Sequence, residues 1–361
     1  MAEGLIAMDI YKSELWLKDI DSVSANIPEL SELKNKTVMI TGAAGLVCSP
    51  IVYIFVRYNE THEETIQIAV AGRWFEEMEQ RFGSLVYKDY FRFVTYDAAS
   101  PVNKIDISAD YIIHGASNAS PDMIVKEPVE TLMGNVLGLK NLFDYAKDHG
   151  TKRILYISSS EVYGQKQDDK PFTETEYGFI DILNPRSSYS VGKRAAETLC
   201  VSYSSEYGVE SVMVRPGHIY GPTASPYDKR VSSAWAYSVA RGEDIVMKSD
   251  GAQIRSYCYC LDCASAIIKV LMRGENCQAY NISNPNSIIS IKDMAEMLVD
   301  SAGVQLKMEL PTEDERKGFN PMSNSSLESH KLISLGWKGC FDAPIGFEHT
   351  VKILREMVKG K

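Results

Sequence analysis

Apolar residues in this chain come in short blocks closed by glycine or polar clusters, and the spacing inside the blocks switches between two periods. Thr37-Val-Met-Ile-Thr-Gly42 is an unbroken apolar run ending in glycine, the pattern of a strand buried on both faces. A helical stretch follows it to about Tyr58. Thr65–Ala71 repeats the strand pattern and leads into a helical Trp74–Phe82. Further strands are predicted at Phe91–Tyr96, Tyr111–His114, Arg153–Ser158 and Ser211–Arg215, with helices between them, notably Pro128–His149 and Tyr189–Tyr207. Strands that alternate with helices predict an α/β fold, a doubly wound parallel sheet covered on both faces.

After Gly221-Pro222 the alternation gives way to short strands, loops and helices. Three segments follow: a helical extension over 1–35, a first lobe over 36–221, and a smaller α+β lobe over 222–361 with returns to the first. In the extension, Ile6, Ile10, Leu15 and Leu17 stand at near-helical spacing within Leu5–Ile20, mixed with acids. This predicts an extra helix packed on the domain or on a partner subunit.

A net charge of -10, with no compensating basic run, argues against a nucleic-acid partner. An anionic ligand would need a local cluster of Arg and Lys. Seven Cys, an odd number without a regular framework, read as reduced thiols and a cytoplasmic location. No apolar stretch approaches a membrane span, and the amino terminus lacks a signal-peptide layout. The alternation of Cys258-Tyr-Cys260-Leu-Asp-Cys263 fits a strand leading into a helix at Ala264, with small buried residues rather than a zinc site.

Chemistry enters at the end of the first strand. Thr41-Gly42-Ala43-Ala44-Gly45-Leu46-Val47-Cys48 spaces two glycines three apart, with Cys48 where a third would stand. Gly42 permits the tight turn, and Gly45 lets backbone approach a pyrophosphate at the helix start. The second strand ends in Val70-Ala71-Gly72-Arg73, without the acid that would hold an adenosine ribose. Arg73 could instead pair with a 2'-phosphate, or be an ordinary exposed residue, so NAD is expected with NADP open. About 30 residues beyond the serine run Ser158-Ser159-Ser160-Glu161, Tyr189 and Lys193 stand four apart, on one helix face. There the ammonium can lower the phenol's pKa and make it a general base.

Taken together, these motifs resemble the short-chain dehydrogenase/reductase superfamily, in its extended branch of NAD-dependent epimerases and dehydratases. The resemblance is collinear from about Lys36 to Lys352. It implies a Rossmann-like domain in which Gly42, Ala44, Gly45, Leu46 and Val47 cradle the cofactor. Arg73, Asp97 and Ala98 would lie by its adenosine half. The run Gly115, Ala116, Ser117 would wall it, with Asn135 and Ser158 nearby and Pro216 and His218 at its far side. Tyr189 and Lys193 complete that set. The dimer interface implied lies near Pro128–His149 and Tyr189–Tyr207, giving a homodimer.

Within the branch, several runs are similar to the UDP-glucuronate decarboxylases: His114-Gly-Ala-Ser-Asn-Ala-Ser-Pro121, Asn184-Pro-Arg186 before Tyr189, Asp228-Lys-Arg230-Val231, and Gln253-Ile-Arg255-Ser-Tyr257. The implied catalytic set is Ser159, Ser160, Glu161, Tyr189, Lys193 and Arg255. The implied substrate contacts are Asn118, Arg186, His218, Arg230, Arg255 and Arg316. Ser160 stands where 4,6-dehydratases of the deoxythymidine-diphosphate-glucose type carry an Asp. GDP-mannose 4,6-dehydratases share the Ser-Glu pair. The implied reaction oxidises the sugar 4-hydroxyl of a nucleotide sugar, releases CO2 from a UDP-glucuronate-like substrate and re-reduces the ketone. Dehydration or epimerisation on the same scaffold stays open, as does a catalytically silent cofactor-binding regulator. His218 replaces the decarboxylases' Asn, and Arg316-Lys-Gly-Phe-Asn-Pro-Met322 departs from their Arg-Lys-Pro-Asp.

Overall fold

The computed structural model describes residues 9–312 and 322–359. Its main sheet begins with β1 (Thr37–Thr41), β2 (Gln67–Gly72), β3 (Phe91–Thr95), β4 (Tyr111–His114), β5 (Arg153–Ile157) and β6 (Ser211–Pro216). The remaining strands are β7 (His218–Tyr220), β8 (Ile245–Met247), β9 (Ile254–Tyr259), β10 (Ala279–Ile282), β11 (Ile288–Ser290) and β12 (Leu306–Met308). The large sheet runs β3-β2-β1-β4-β5-β6-β10, and every neighbouring pair in it is parallel. Strand order reverses between β1 and β4. In such sheets the crevice beyond the strand ends at that reversal is where a ligand binds.

The helices are α1 (Glu14–Ser24), α2 (Ser49–Thr61), α3 (Phe75–Phe82), α4 (Pro121–Lys126), α5 (Pro128–His149), α6 (Ser188–Tyr207), α7 (Val231–Ala240), α8 (Cys260–Arg273) and α9 (Ile291–Ala302), before a C-terminal helix at Ala343–Lys359. Alternation along each strand divides the core. Val38 and Ile40 of β1, with Leu155 and Ile157 of β5, face α2 and α8. Met39, Ile154 and Tyr156 face α5 and α6. Both faces of the sheet are therefore covered, which is why these strands read as continuous apolar runs. Phe143 of α5 and Tyr203 of α6 stack with ring centroids 4.7 Å apart.

Past β6 the chain builds a three-stranded sheet, β11-β9-β7, and a two-stranded one, β12-β8. Strand β10 then returns to extend the main sheet beside β6. The helix after the cysteine run begins four residues earlier than expected, at Cys260 rather than Ala264. Cys258 lies in β9, while Cys260 already opens α8.

The amino-terminal helix also differs from its expected span. Helix α1 begins at Glu14 because the Ser13 hydroxyl caps it, accepting from the Trp16 N–H at 3.3 Å. It buries Trp16, Ile20 and Val23. Asp19, on the same face, accepts from the Tyr259 hydroxyl at 3.0 Å and lies 2.9 Å from His349 Nδ1. The extension thus packs on its own chain; residues 5–8 lie outside the described residues. No helix among the described residues is long and apolar enough to cross a membrane.

Candidate active site

The glycine turn is cleared for close approach of backbone. Gly42 has φ +67°, and a Cβ there would lie 2.8 Å from the Gly115 carbonyl carbon and 2.9 Å from the Ala116 nitrogen. Thr41 Oγ1 accepts from the Gly115 and Ala116 N–H groups at 3.2 and 3.1 Å, and sits 2.7 Å from His114 Nδ1. The ends of β1 and β4 are thereby tied at the strand-order reversal. Cys48 uses space that Gly115 leaves open, since a Cβ on Gly115 would lie 2.4 Å from its Sγ.

Two residues missed in the sequence hold the turn's carbonyls. Arg81 Nε donates to Ala44 O at 2.9 Å, and Thr223 Oγ1 to Leu46 O at 3.0 Å. Neither belongs to a local motif. Gly45 is exposed at the turn and Val47 lines the cleft below it. A turn bare of side chains at the start of α2 fits a dinucleotide's pyrophosphate.

A cleft of about 1430 Å³ opens at this point. Its lining brings together Gly115, Ser117, Ser158, Ser159, Ser160, Glu161, Arg186, Tyr189, Lys193, Pro216, His218, Arg230 and Arg255, drawn from segments up to 140 residues apart in sequence. The Ser158 hydroxyl is buried there without a partner among the described residues.

Other expected residues stand behind or beside this wall. Asn135 is buried, accepts from Ser117 Oγ at 3.1 Å and Tyr156 OH at 3.0 Å, and so positions the wall rather than lining it. Asp97 accepts from the Ala99 N–H at 2.9 Å, and Ala98 packs where Gly138 has no side chain. Arg73 is exposed at the end of β2. Asn118 does not line the cleft, although its neighbours Ser117 and Ala119 do. Arg316 lies outside the described residues.

Tyr189 and Lys193 sit one turn apart on the buried face of α6. Lys193 Nζ donates to Ile157 O at 2.8 Å and lies 5.6 Å from the Tyr189 ring centroid. Burial pushes the lysine down to about 7, against an upward pull from Glu197. Burial, then Glu161, pushes the Tyr189 phenol up to about 12; a hydrogen bond from Ser159 and the charges of Arg230 and Arg186 pull it down. The groups that pull the phenol down here are thus Ser159, Arg230 and Arg186. Lys193 is itself held near neutrality by the dry helix face it shares with Tyr189.

The arginines also differ from one another. Arg186 grips Glu161 with both terminal nitrogens, at 3.2 Å each, while Ser190 Oγ donates to the same carboxylate at 3.1 Å. Arg186, expected at the substrate, lines the cleft and is Glu161's counter-ion there. Arg230 Nε donates to Asp228 at 2.9 Å. Arg255 is buried, donates to the carbonyls of Ile254 and Met322 at 2.8 and 3.2 Å, and has no carboxylate partner among the described residues. His218 has its ring open to the cleft but lies deep beneath the molecular surface. That depth, with the charges of Arg255 and Arg230, pushes it down to about 4. A neutral imidazole beside an unneutralised guanidinium suits an anionic group.

Fold and cleft define a dinucleotide-binding α/β scaffold whose cleft Ser159, Tyr189 and Lys193 line together. The chain belongs to the NAD dependent epimerase/dehydratase family, whose model matches residues 38–283. It is 31% identical over 306 residues to UDP-glucuronic acid decarboxylase 6 of Arabidopsis thaliana, covering 84% of each chain. It is 30% identical over 329 residues to UDP-glucuronic acid decarboxylase 1 of Xenopus tropicalis, covering 91% of this chain and 74% of that one. Among solved structures it is similar to a UDP-glucose 4-epimerase of Thermotoga maritima, with TM-score 0.73 and 20% identity over 89% of this chain and 99% of that one. A dTDP-glucose 4,6-dehydratase of Bacillus anthracis in complex with NAD gives TM-score 0.71 at 19% identity, over 89% and 97%. The chain is an NAD-dependent enzyme of this family.

Proposed function

We propose that the chain decarboxylates a nucleotide-linked uronic acid of the UDP-glucuronate type. The observation that carries this reading is Arg255, a buried guanidinium without a carboxylate partner among the described residues, opening on the same cleft as Tyr189. Guanidinium pairs with carboxylate through two parallel hydrogen bonds, and among the described residues Arg255 is the arginine of this wall that no carboxylate holds. The similarity to decarboxylases over most of the chain supports it.

The turn at Gly42–Val47 would hold the pyrophosphate of NAD, and Gly115, Ser117 and Ser158 would line its bed. Bound NAD supplies the hydride acceptor and later returns the hydride. Ser159 hydrogen-bonds the sugar 4-hydroxyl as Tyr189 takes its proton, and Lys193 holds the tyrosine's surroundings. The resulting 4-ketone is β to the carboxylate that Arg255 orients, so CO2 leaves with its electron pair delocalised into the ketone. Glu161, kept in place by Arg186 and Ser190, and Ser160 attend the carbon that must then be protonated. Ser160 offers no acid for expelling a 6-hydroxyl in the way the Asp of the deoxythymidine-diphosphate-glucose type does, which disfavours that type of dehydration.

A homodimer belongs to this reading. Val129 and Met133 on α5 and Val201 on α6 leave apolar surface exposed, and light scattering of the purified chain tests it. The reaction is tested by proton NMR of the protein with NAD and UDP-glucuronate. A pentose spectrum is the expected result. An unchanged uronate spectrum, with turnover of a neutral hexose nucleotide instead, would displace the reading.

A further inference from the structure

A second cavity, of about 510 Å³, is lined by later residues of α6 and shares none of its residues with the catalytic cleft. Its wall holds a buried ion pair. Arg215 donates Nε and Nη2 to the two oxygens of Glu197, at 2.9 and 2.7 Å. The remaining guanidinium hydrogens reach the Tyr163 hydroxyl at 3.0 Å, Glu174 O at 2.9 Å and the Tyr177 hydroxyl at 3.2 Å. All five donors are taken, so this guanidinium has nothing left to offer a ligand.

What the pair does reach is the machinery of the other cleft. Glu197 lies one helical turn beyond Lys193 on α6. Tyr163 closes the short helix Ser160–Tyr163 that carries Glu161. Arg215 itself immediately precedes Pro216 at the end of β6. Three segments that shape the catalytic cleft thus meet at one guanidinium.

Among the described residues Lys193 makes no ion pair, donating instead to the Ile157 carbonyl. The titratable groups around it are Cys48, His114, Tyr156, Tyr189 and Cys200. Burial holds the thiols and phenols up and the imidazole down, so all five are neutral near pH 7. Glu197 is left as the carboxylate whose field bears on the lysine.

We infer that the Glu197–Arg215 pair is a positioning element for catalysis: it locks α6 against the serine turn and the end of β6, and gives Lys193 the negative charge that its own contacts lack. The inference rests on Lys193 serving the reaction proposed above, but its test uses no sugar nucleotide, so the two fail separately. The full-length protein is reductively methylated from about pH 6 to about pH 10, and labelling of Lys193 is read by peptide mass spectrometry, since only the free amine reacts. Glu197→Gln is expected to move the labelling midpoint down by about one pH unit, because the lysine loses its attraction and Arg215 is left uncompensated. A merely structural role gives the opposite sign, since a loosened helix hydrates Lys193 and moves the midpoint up. A midpoint unmoved or raised in Glu197→Gln overturns the inference.

An unpaired buried arginine can unfold a protein. The double substitution Glu197→Gln with Arg215→Met leaves no unpaired charge, and decides the matter if the single variant fails to fold. Its midpoint is expected still below that of the parent, and one at or above the parent overturns the inference.

Discussion

At the glycine turn the groups offered to a ligand are backbone atoms cleared of side chains, whereas at the other end of the cleft they are side chains, most of them already paired. Gly42 and Gly115 matter for the Cβ atoms they lack. Glu161, Arg186, Asp228 and Arg230 matter for the partners they hold. The difference teaches where specificity can change. The cofactor end tolerates little variation because backbone cannot be rebuilt by substitution. The substrate end can be rewired by exchanging one member of a pair, and Arg255, without a carboxylate partner among the described residues, is the group to which the proposed function assigns selectivity.

The strongest way to break the contrast is at the turn. Gly42→Val places a branched side chain at φ +67° and into the Gly115 backbone. The strain alone costs about 1–3 kcal/mol, and the clash adds to it. Loss of NADH binding, followed by cofactor fluorescence, is expected, with a lowered Tm. Unchanged binding would show that the turn is not the cradle.

Tyr189→Phe comes next. Turnover is expected to fall about 10²–10⁴-fold, the usual worth of a general base, while NADH affinity stays nearly unchanged. Full activity would remove Tyr189 from the chemistry.

A smaller effect is expected from Arg186→Gln, which frees Glu161 without removing it. Activity should drop about tenfold, the order of one charge-assisted contact. KM should change less than kcat if Arg186 serves Glu161 rather than the substrate. The reverse split would return Arg186 to the substrate.

The smallest effect is on stability. Lys193 in the folded protein sits near 7, below the ordinary lysine range, so between those limits the unfolded chain binds a proton the folded one has lost. Folding stability without added cofactor therefore gains a contribution as pH rises through that window. Lys193→Met should flatten this part of the pH–Tm curve, and a parent-like slope in that variant would assign it to other groups.

The same contrast explains what was legible in the sequence. The strand–turn–helix at Thr41–Cys48 and the Tyr189–Lys193 spacing are local patterns, written in neighbouring residues and set by backbone geometry. The parallel character of the main sheet follows from the alternation, whereas the return of β10 beside β6 does not. Arg81 and Thr223 reach the turn's carbonyls from 37 and 177 residues away, and no local pattern announces them. The Arg186–Glu161 pairing was hidden for a similar reason. Both residues carried motifs, but a motif states which types are present, not which of two candidate partners a guanidinium takes. Helix α1 was placed too early because apolar spacing continues past the Ser13 cap that starts it.

The carboxylate grip assigned to Arg255 is tested most directly by equilibrium binding. UDP-glucuronate and UDP-glucose would be titrated against the parent and Arg255→Gln, with NAD present and turnover blocked by Tyr189→Phe in both. The parent background is expected to bind the uronate at least about tenfold more tightly than the neutral sugar, the worth of one charged hydrogen-bonded pair, and Arg255→Gln to erase the difference. Equal affinities in the parent background, or a preference that survives Arg255→Gln, would contradict the account.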